Sequence, residues 1–202
     1  MTYIDIHTHD RQPHEGVTAV VSVHPDDDWT GLQHVSVGVH PWRVSERWRE
    51  EVDAVRHAVG RNEVVAVGEC GLDRVRGGDW TQQVSCFEAQ LQLADELGKP
   101  VILHCVRAAD ALLPMVRGWC GRMIWHGFRG KPQQAEQLLR AGIELSFGPQ
   151  FNADSLRMAY EERKMWLETD DSRISIREIY ERASRALSIS PTDIELPGTL
   201  WS

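Results

Sequence analysis

Two histidines stand one residue apart at positions 7 and 9 (YIDIHTH), where the first apolar run ends. Imidazole nitrogens bind divalent cations, and in an extended strand residues i and i+2 project from one face. Tyr3, Asp5, His7 and His9 are therefore expected to share a face, with Ile4 and Ile6 on the other. Further residues able to hold a metal follow: His40 in GVHPW, Glu69 and Asp73 in VGECGLD, His104 in VILHC, His126 in HGFRG, and Glu168 and Asp170 in LETD. A mixed imidazole and carboxylate set suits zinc or manganese and admits magnesium. The set is too large for one four-coordinate site, and two metals bridged by a carboxylate would accommodate it.

Those residues need a scaffold that brings them together. Short apolar runs predict strands at 3–7, 18–23, 35–39, 64–69, 101–105, 123–126, 143–147 and 165–168. Several are nearly all apolar, as strands buried on both faces are. Three- and four-residue apolar spacing predicts helices over 46–59, 80–98, 108–118, 132–141, 153–163 and 174–187, with Gly142 as a C-cap. Strand alternating with helix implies a parallel sheet, and eight strands imply a TIM-type (β/α)8 barrel of the α/β class. The connections 8–17 and 24–34 are too short and polar for a full helix each. The expected fold is thus a compact barrel with its first two helices reduced or missing. Barrel active sites lie at the C-terminal ends of the strands. Every candidate ligand falls at such an end, and scattered core histidines would not all choose one end.

The chain has 202 residues, 42% apolar and 26% charged, enough for one domain over 1–202. Its net charge of −8 argues against tight non-specific duplex binding, which relies on many Lys and Arg contacts to phosphate. No stretch approaches the ~20 apolar residues of a membrane span. The opening MTYIDIHTHD resembles no export signal, and Cys70, Cys86, Cys105 and Cys120 form no CxxC pair, so reduced thiols in a cytoplasmic protein are expected. Alternation turns Cys70 and Cys105 away from the ligands beside them. Trp42 either stacks on a base or packs over the barrel mouth.

HTH at 7–9, GVHPW at 38–42, VGECGLD at 67–73, PVILHCVR at 100–107, HGFRG at 126–130 and LETD at 167–170 resemble, in order, the motif series of the TatD family of metal-dependent hydrolases. The resemblance runs from residue 3 to about 170. It implies a barrel enzyme with a divalent-metal centre and deoxyribonuclease activity. Carried over by residue, His7, His9 and Asp170 would hold one metal, His104 and His126 a second, and Glu69 would bridge them. The usual HCFSG stands here as HGFRG, with Arg129 in place of a small residue, and ETD continues into Asp171.

On this basis Glu69 and Asp170 are the expected catalytic residues. Asp170 is placed to accept the proton of a metal-activated water, and Glu168 to orient a histidine ligand. Strand-end cations supply a basic mouth, with His40, Arg74, Arg107 and Arg129 as expected substrate contacts. The expected partner is a phosphate ester, such as single-stranded DNA or DNA ends, hydrolysed by a monomer or weak dimer. Two rivals remain: a hydrolase of another ester, an amide or a phosphomonoester on the same barrel, and a non-catalytic binding module. Glu69 on the fourth strand, where many related barrels use a carboxylated lysine, favours the phosphoesterase.

Overall fold

The computed structural model describes residues 2–200, so Met1, Trp201 and Ser202 of the expected domain lie outside the described residues. Eight strands form where the apolar runs predict them: β1 (Tyr3–Thr8), β2 (Val17–Val23), β3 (Val35–Val37), β4 (Val64–Asp73), β5 (Val101–Val106), β6 (Met123–Trp125), β7 (Glu144–Phe147) and β8 (Met165–Leu167). They follow one another in one sheet in the order β1 to β8. The pairs β1–β2, β3–β4, β4–β5, β6–β7 and β7–β8 are parallel. A parallel bridge joins Thr8 to Asp170, just past β8. This is the strand succession of the TIM-type barrel. The helices are α1 (Trp48–Ala58), α2 (Trp80–Glu96), α3 (Ala109–Met115), α4 (Pro132–Arg140), α5 (Ala153–Glu161) and α6 (Ile176–Leu187), and no helix separates β1 from β2 or β2 from β3. Among the described residues, no helix is long and apolar enough to cross a membrane.

The chain gathers into two compact units, Met1–Val21 with Ile124–Ser202, and Ser22–Met123. In the first, α6 turns Ile176, Ile179, Tyr180 and Ala183 inward at three- and four-residue steps. The Tyr180 hydroxyl donates to the Ile4 carbonyl at 3.3 Å, and its ring meets Tyr3 edge-on at 5.0 Å. Ile6, Leu145, Phe147, Trp166 and Leu167 are buried without exposure, each worth roughly 1.5–3 kcal/mol of burial. The Ser175 hydroxyl caps α6 by accepting from the Glu178 N–H. Gly142, at φ 83°, follows α4, and bonds from Gly142 to Leu139 and from Ile143 to Leu138 close the helix end as its glycine predicts.

In the second unit β4 runs to Asp73, four residues beyond the expected end at 69. Gly71 permits this. Its φ is 150°, it pairs with His104, and a Cβ there would overlap the His104 carbonyl. The GECG stretch therefore continues the strand, and Asp73 becomes a strand residue. The α2 helix buries Phe87, Leu91 and Ala94 and ends at Glu96, short of the expected 98, with Leu97 exposed. It also buries Gln83 and Gln90, seven residues apart on one face. The α3 helix stops short of the expected 108–118, because Pro114 near its end supplies no N–H.

Candidate functional site

Within the first unit, the end of β1 lies beside the segment that follows β8. The Asp170 N–H donates to the His7 carbonyl, and the His9 N–H donates to the Asp170 carbonyl, both at 3.0 Å. These two bonds place three side chains around one point. His7 Nε2 and His9 Nε2 each stand 3.6 Å from Asp170 Oδ1. His7 is fully buried, while the His9 side chain is 47% exposed. Two ligands on a tetrahedral metal at about 2.1 Å stand roughly 3.4 Å apart, so this spacing fits a cation held in common.

His126 and Glu168 join the same unit. The His126 ring lies 4.4 Å from that of His7, and its Nδ1 stands 3.4 Å from Glu168 Oε1. The Gly127 N–H donates to the same oxygen at 2.7 Å. Glu168 is completely buried, and its Oε2 has no hydrogen-bond partner among the described residues. A bare carboxylate oxygen in the interior costs free energy unless a positive charge faces it. With a proton on Nδ1 donated to Glu168, His126 offers Nε2 as its metal-binding atom.

Asp5 departs from the face expected of it. Its carboxylate accepts from the Thr169 N–H at 3.0 Å and from the Thr169 hydroxyl at 2.6 Å. Thr169 lies between Glu168 and Asp170, and alternation turns it to the opposite side. A register shift between Asp5 and Thr8 breaks the period-two pattern, so Asp5 and His7 part company. Burial pushes the Asp5 carboxyl up to about 7, against the Thr169 bonds, with Glu168 adding to the rise and His7 opposing it.

Within the second unit, Glu69, His104, His40 and Asp73 form a second cluster. Glu69 Oε1 stands 2.6 Å from His104 Nδ1 and 3.0 Å from His40 Nε2. His104 Nε2 stands 3.3 Å from Asp73 Oδ2. His104 Nδ1 and Glu69 Oε1 stand at hydrogen-bond distance, closer together than two ligands of one cation. His40, Glu69 and His104 each offer a ligand atom within 4.8 Å of the others, and this mixed imidazole and carboxylate set suits a cation. His40 Nδ1 accepts the Trp42 main-chain N–H at 3.1 Å, which places the neutral ring's proton on Nε2, toward Glu69. Burial raises the Asp73 carboxyl, but hydrogen bonds from Trp42, the Arg76 and Val75 N–H groups and His104 outweigh it and hold the group below its usual range.

The expected substrate cations differ in their surroundings. Arg74 is gripped by Asp110, with Nη2 to Oδ2 at 2.9 Å, and donates to the Arg107 carbonyl at 3.0 Å. Its charge is already matched. Arg107 and Arg129 are exposed, and Arg129 Nη1 donates to Gln150 Oε1 at 3.5 Å. Cys70 is buried, with Sγ turned to the Ile102 carbonyl.

A family model described as TatD related DNase matches residues 14–174. The chain belongs to this TatD-related family. Among relatives, a 3'-5' ssDNA/RNA exonuclease TatD of Erwinia billingiae is 40% identical over 114 residues, covering 54% of this chain and 44% of that protein. One from Edwardsiella piscicida is 37% identical over 129 residues, covering 61% and 47%. The matched stretch thus spans about half the length of these curated relatives. Among solved structures, the TatD homologue YjjV of Escherichia coli K12 superposes with a TM-score of 0.77 at 22% identity, covering 95% of this chain and 93% of that one. A hydrolase TatD family protein from Entamoeba histolytica does so with a TM-score of 0.72 at 15% identity, covering 96% and 94%. The barrel fold of the TatD family is therefore the fold of this chain.

Sequence reasoning missed the supports of the second cluster. Gln90 braces the segment between β3 and His40, accepting from the Val39 N–H at 2.8 Å and donating to the Val39 carbonyl at 3.1 Å. Gln83 accepts from the Asp73 N–H at 3.0 Å. The available signal was two glutamines at apolar-periodic positions of α2, since a buried amide side chain implies a specific partner.

Proposed function

We propose that this chain is a divalent-cation-dependent phosphodiesterase that removes nucleotides from the ends of single-stranded DNA or RNA. The carrying observation is the convergence of His7 Nε2 and His9 Nε2 on Asp170 Oδ1 at 3.6 Å each, in a chain of this family. The exonuclease activity named for the Erwinia and Edwardsiella relatives supports nucleic acid as the substrate.

His7, His9 and Asp170 hold one cation in this proposal, with His126 beside Asp170 as a further ligand, and Glu69 and His104 hold a second; zinc, manganese and magnesium all suit the donors. When bound, such cations supply Lewis acidity that acidifies water and draws charge from phosphoryl oxygens. The other Asp170 carboxylate oxygen, Oδ2, accepts the proton of the attacking water. The His40 Nε2–H keeps the Glu69 carboxylate oriented. Glu168 and Asp73 hold His126 and His104 by one nitrogen each and leave the other nitrogen to a cation. Arg107 and Arg129 bind the phosphate, whereas Arg74 is committed to Asp110. The water oxygen bonds to phosphorus as the bond to the 3′-oxygen breaks, releasing a nucleoside 5′-monophosphate.

The test is digestion of single-stranded DNA labelled at its 3′ or its 5′ end, with Mg²⁺ or Mn²⁺, with chelator, and with Glu69→Ala. The proposal expects immediate loss of the 3′ label, a shortening ladder from the 5′ label, and no cleavage with chelator or the variant. A cation-loaded protein that cleaves neither substrate contradicts it and favours another ester or an amide.

A further inference from the structure

Trp42 is 45% exposed, two residues past His40. A solvated surface tryptophan is free to turn, but this ring is pinned. Its Nε1–H donates to Asp73 Oδ2 at 2.6 Å. Its main-chain N–H holds His40 Nδ1 at 3.1 Å. The imidazoles of His40 and His104 meet it edge-on, with ring centres at 4.8 and 5.7 Å. The Arg76 guanidinium lies over the ring, 3.8 Å from its centre, and no carboxylate pairs with Arg76 among the described residues. Val75, beside Arg76, is 61% exposed.

These observations describe a flat aromatic surface, held at its polar edge, next to the cluster of Glu69, His104 and Asp73. Asp73 Oδ2 serves both parts, since it receives the indole and stands 3.3 Å from His104 Nε2. The ring is thereby fixed in register with the imidazole that faces Glu69. Packing alone would bury the indole, and here nearly half of it is open beside an unmatched cation. Every nucleobase has a π-face, so stacking on such a ring gives affinity without choosing a sequence. A guanidinium over the ring adds charge at the point where the strand's phosphates must pass.

We propose that Trp42, backed by Arg76, is the nucleobase platform of this site, stacking the terminal base of a single strand while its phosphodiester lies at the cluster. The proposal rests on the phosphodiesterase reading above. It predicts base-tolerant recognition and a requirement for a base as such.

The test compares a (dT)4 oligonucleotide with the same oligonucleotide carrying an abasic 3′-terminal residue. Binding is read by fluorescence anisotropy in chelator, so cleavage does not intervene, and kcat/KM is then read with Mn²⁺. Wild-type protein should favour the base-bearing strand by ~10-fold or more in both readouts, as expected for one stacked base. Trp42→Ala should bring the two strands within about twofold of each other, while Trp42→Phe, which keeps a ring, should retain most of the preference. Arg76→Ala should weaken both strands while leaving a preference. Preference unchanged in Trp42→Ala, or absent in the wild type, overturns the platform. Wild-type protein that prefers the base-bearing strand in binding yet cleaves neither overturns the phosphodiesterase reading and leaves the platform as a binding site.

Discussion

The Asp170 main chain donates to the His7 carbonyl and accepts from the His9 N–H, each at 3.0 Å, so one residue's backbone sets the spacing of the two histidines its carboxylate faces. Asp170 does this at φ 53°, in the left-handed region where Asn and Asp are favoured. Backbone and carboxylate can therefore be separated by substitution. Asp170→Asn should leave thermal stability within ~0.5 kcal/mol of wild type in chelator while it lowers cation affinity. Asp170→Val should in addition lose ~1–2 kcal/mol, because a branched side chain disfavours that φ. Chemical denaturation of both variants in chelator checks the stability, and isothermal titration with Mn²⁺ checks the affinity.

Glu168 orients His126 and also satisfies the Gly127 N–H. Glu168→Gln keeps an acceptor for Gly127 but removes the negative charge that favours a proton on His126 Nδ1. Its cation affinity should fall ~10–100-fold with stability little changed. Glu168→Ala should fall as far in affinity and lose a further ~1–3 kcal/mol of stability, because the Gly127 N–H is left unbonded. Equal affinities for wild type and Glu168→Gln in a Mn²⁺ titration would remove Glu168 from the positioning role.

Gly71 lets β4 approach β5 closely enough to carry Asp73 beside His104. Gly71→Ala would drive a methyl group into the His104 carbonyl. The expected loss is about 3 kcal/mol or more, since strained φ and overpacking add. A urea midpoint equal to wild type would contradict the close approach.

Thiol reactivity follows burial. Burial pushes the Cys86 thiol up to about 12 and the Cys70 thiol well above its usual value, whereas Cys120 is exposed. At pH 8 an aromatic disulfide reagent should label Cys120 at once and reach Cys70 and Cys86 only after denaturation. Rapid native labelling of either buried thiol would contradict the packing around α2 and β4.

The eight strands and six helices among the described residues follow from apolar runs and periodicity, because buried parallel strands and amphipathic helices each impose a period on the sequence. The missing first two helices follow from polar connections of about ten residues. The failures have local causes. Asp5 is misplaced because a register shift inside β1 breaks the alternation that the face assignment assumes. Asp73 reads as a loop residue because two glycines in GECG look like a strand end, when one of them permits the strand to continue. Arg74 reads as a free cation because Asp110, 36 positions away, is invisible to local pattern. Gln83 and Gln90 escape because their main-chain partners carry no side-chain signature.

The central claim is that both carboxylate–histidine clusters hold divalent cations. The most direct measurement is bound metal per chain by elemental analysis, after saturation with Mn²⁺ or Zn²⁺ and dialysis, for wild type, Asp170→Asn and His104→Ala. The account predicts about two cations in the wild type and about one in each variant. A wild-type chain that retains none, or two variants that both retain the wild-type content, would contradict it.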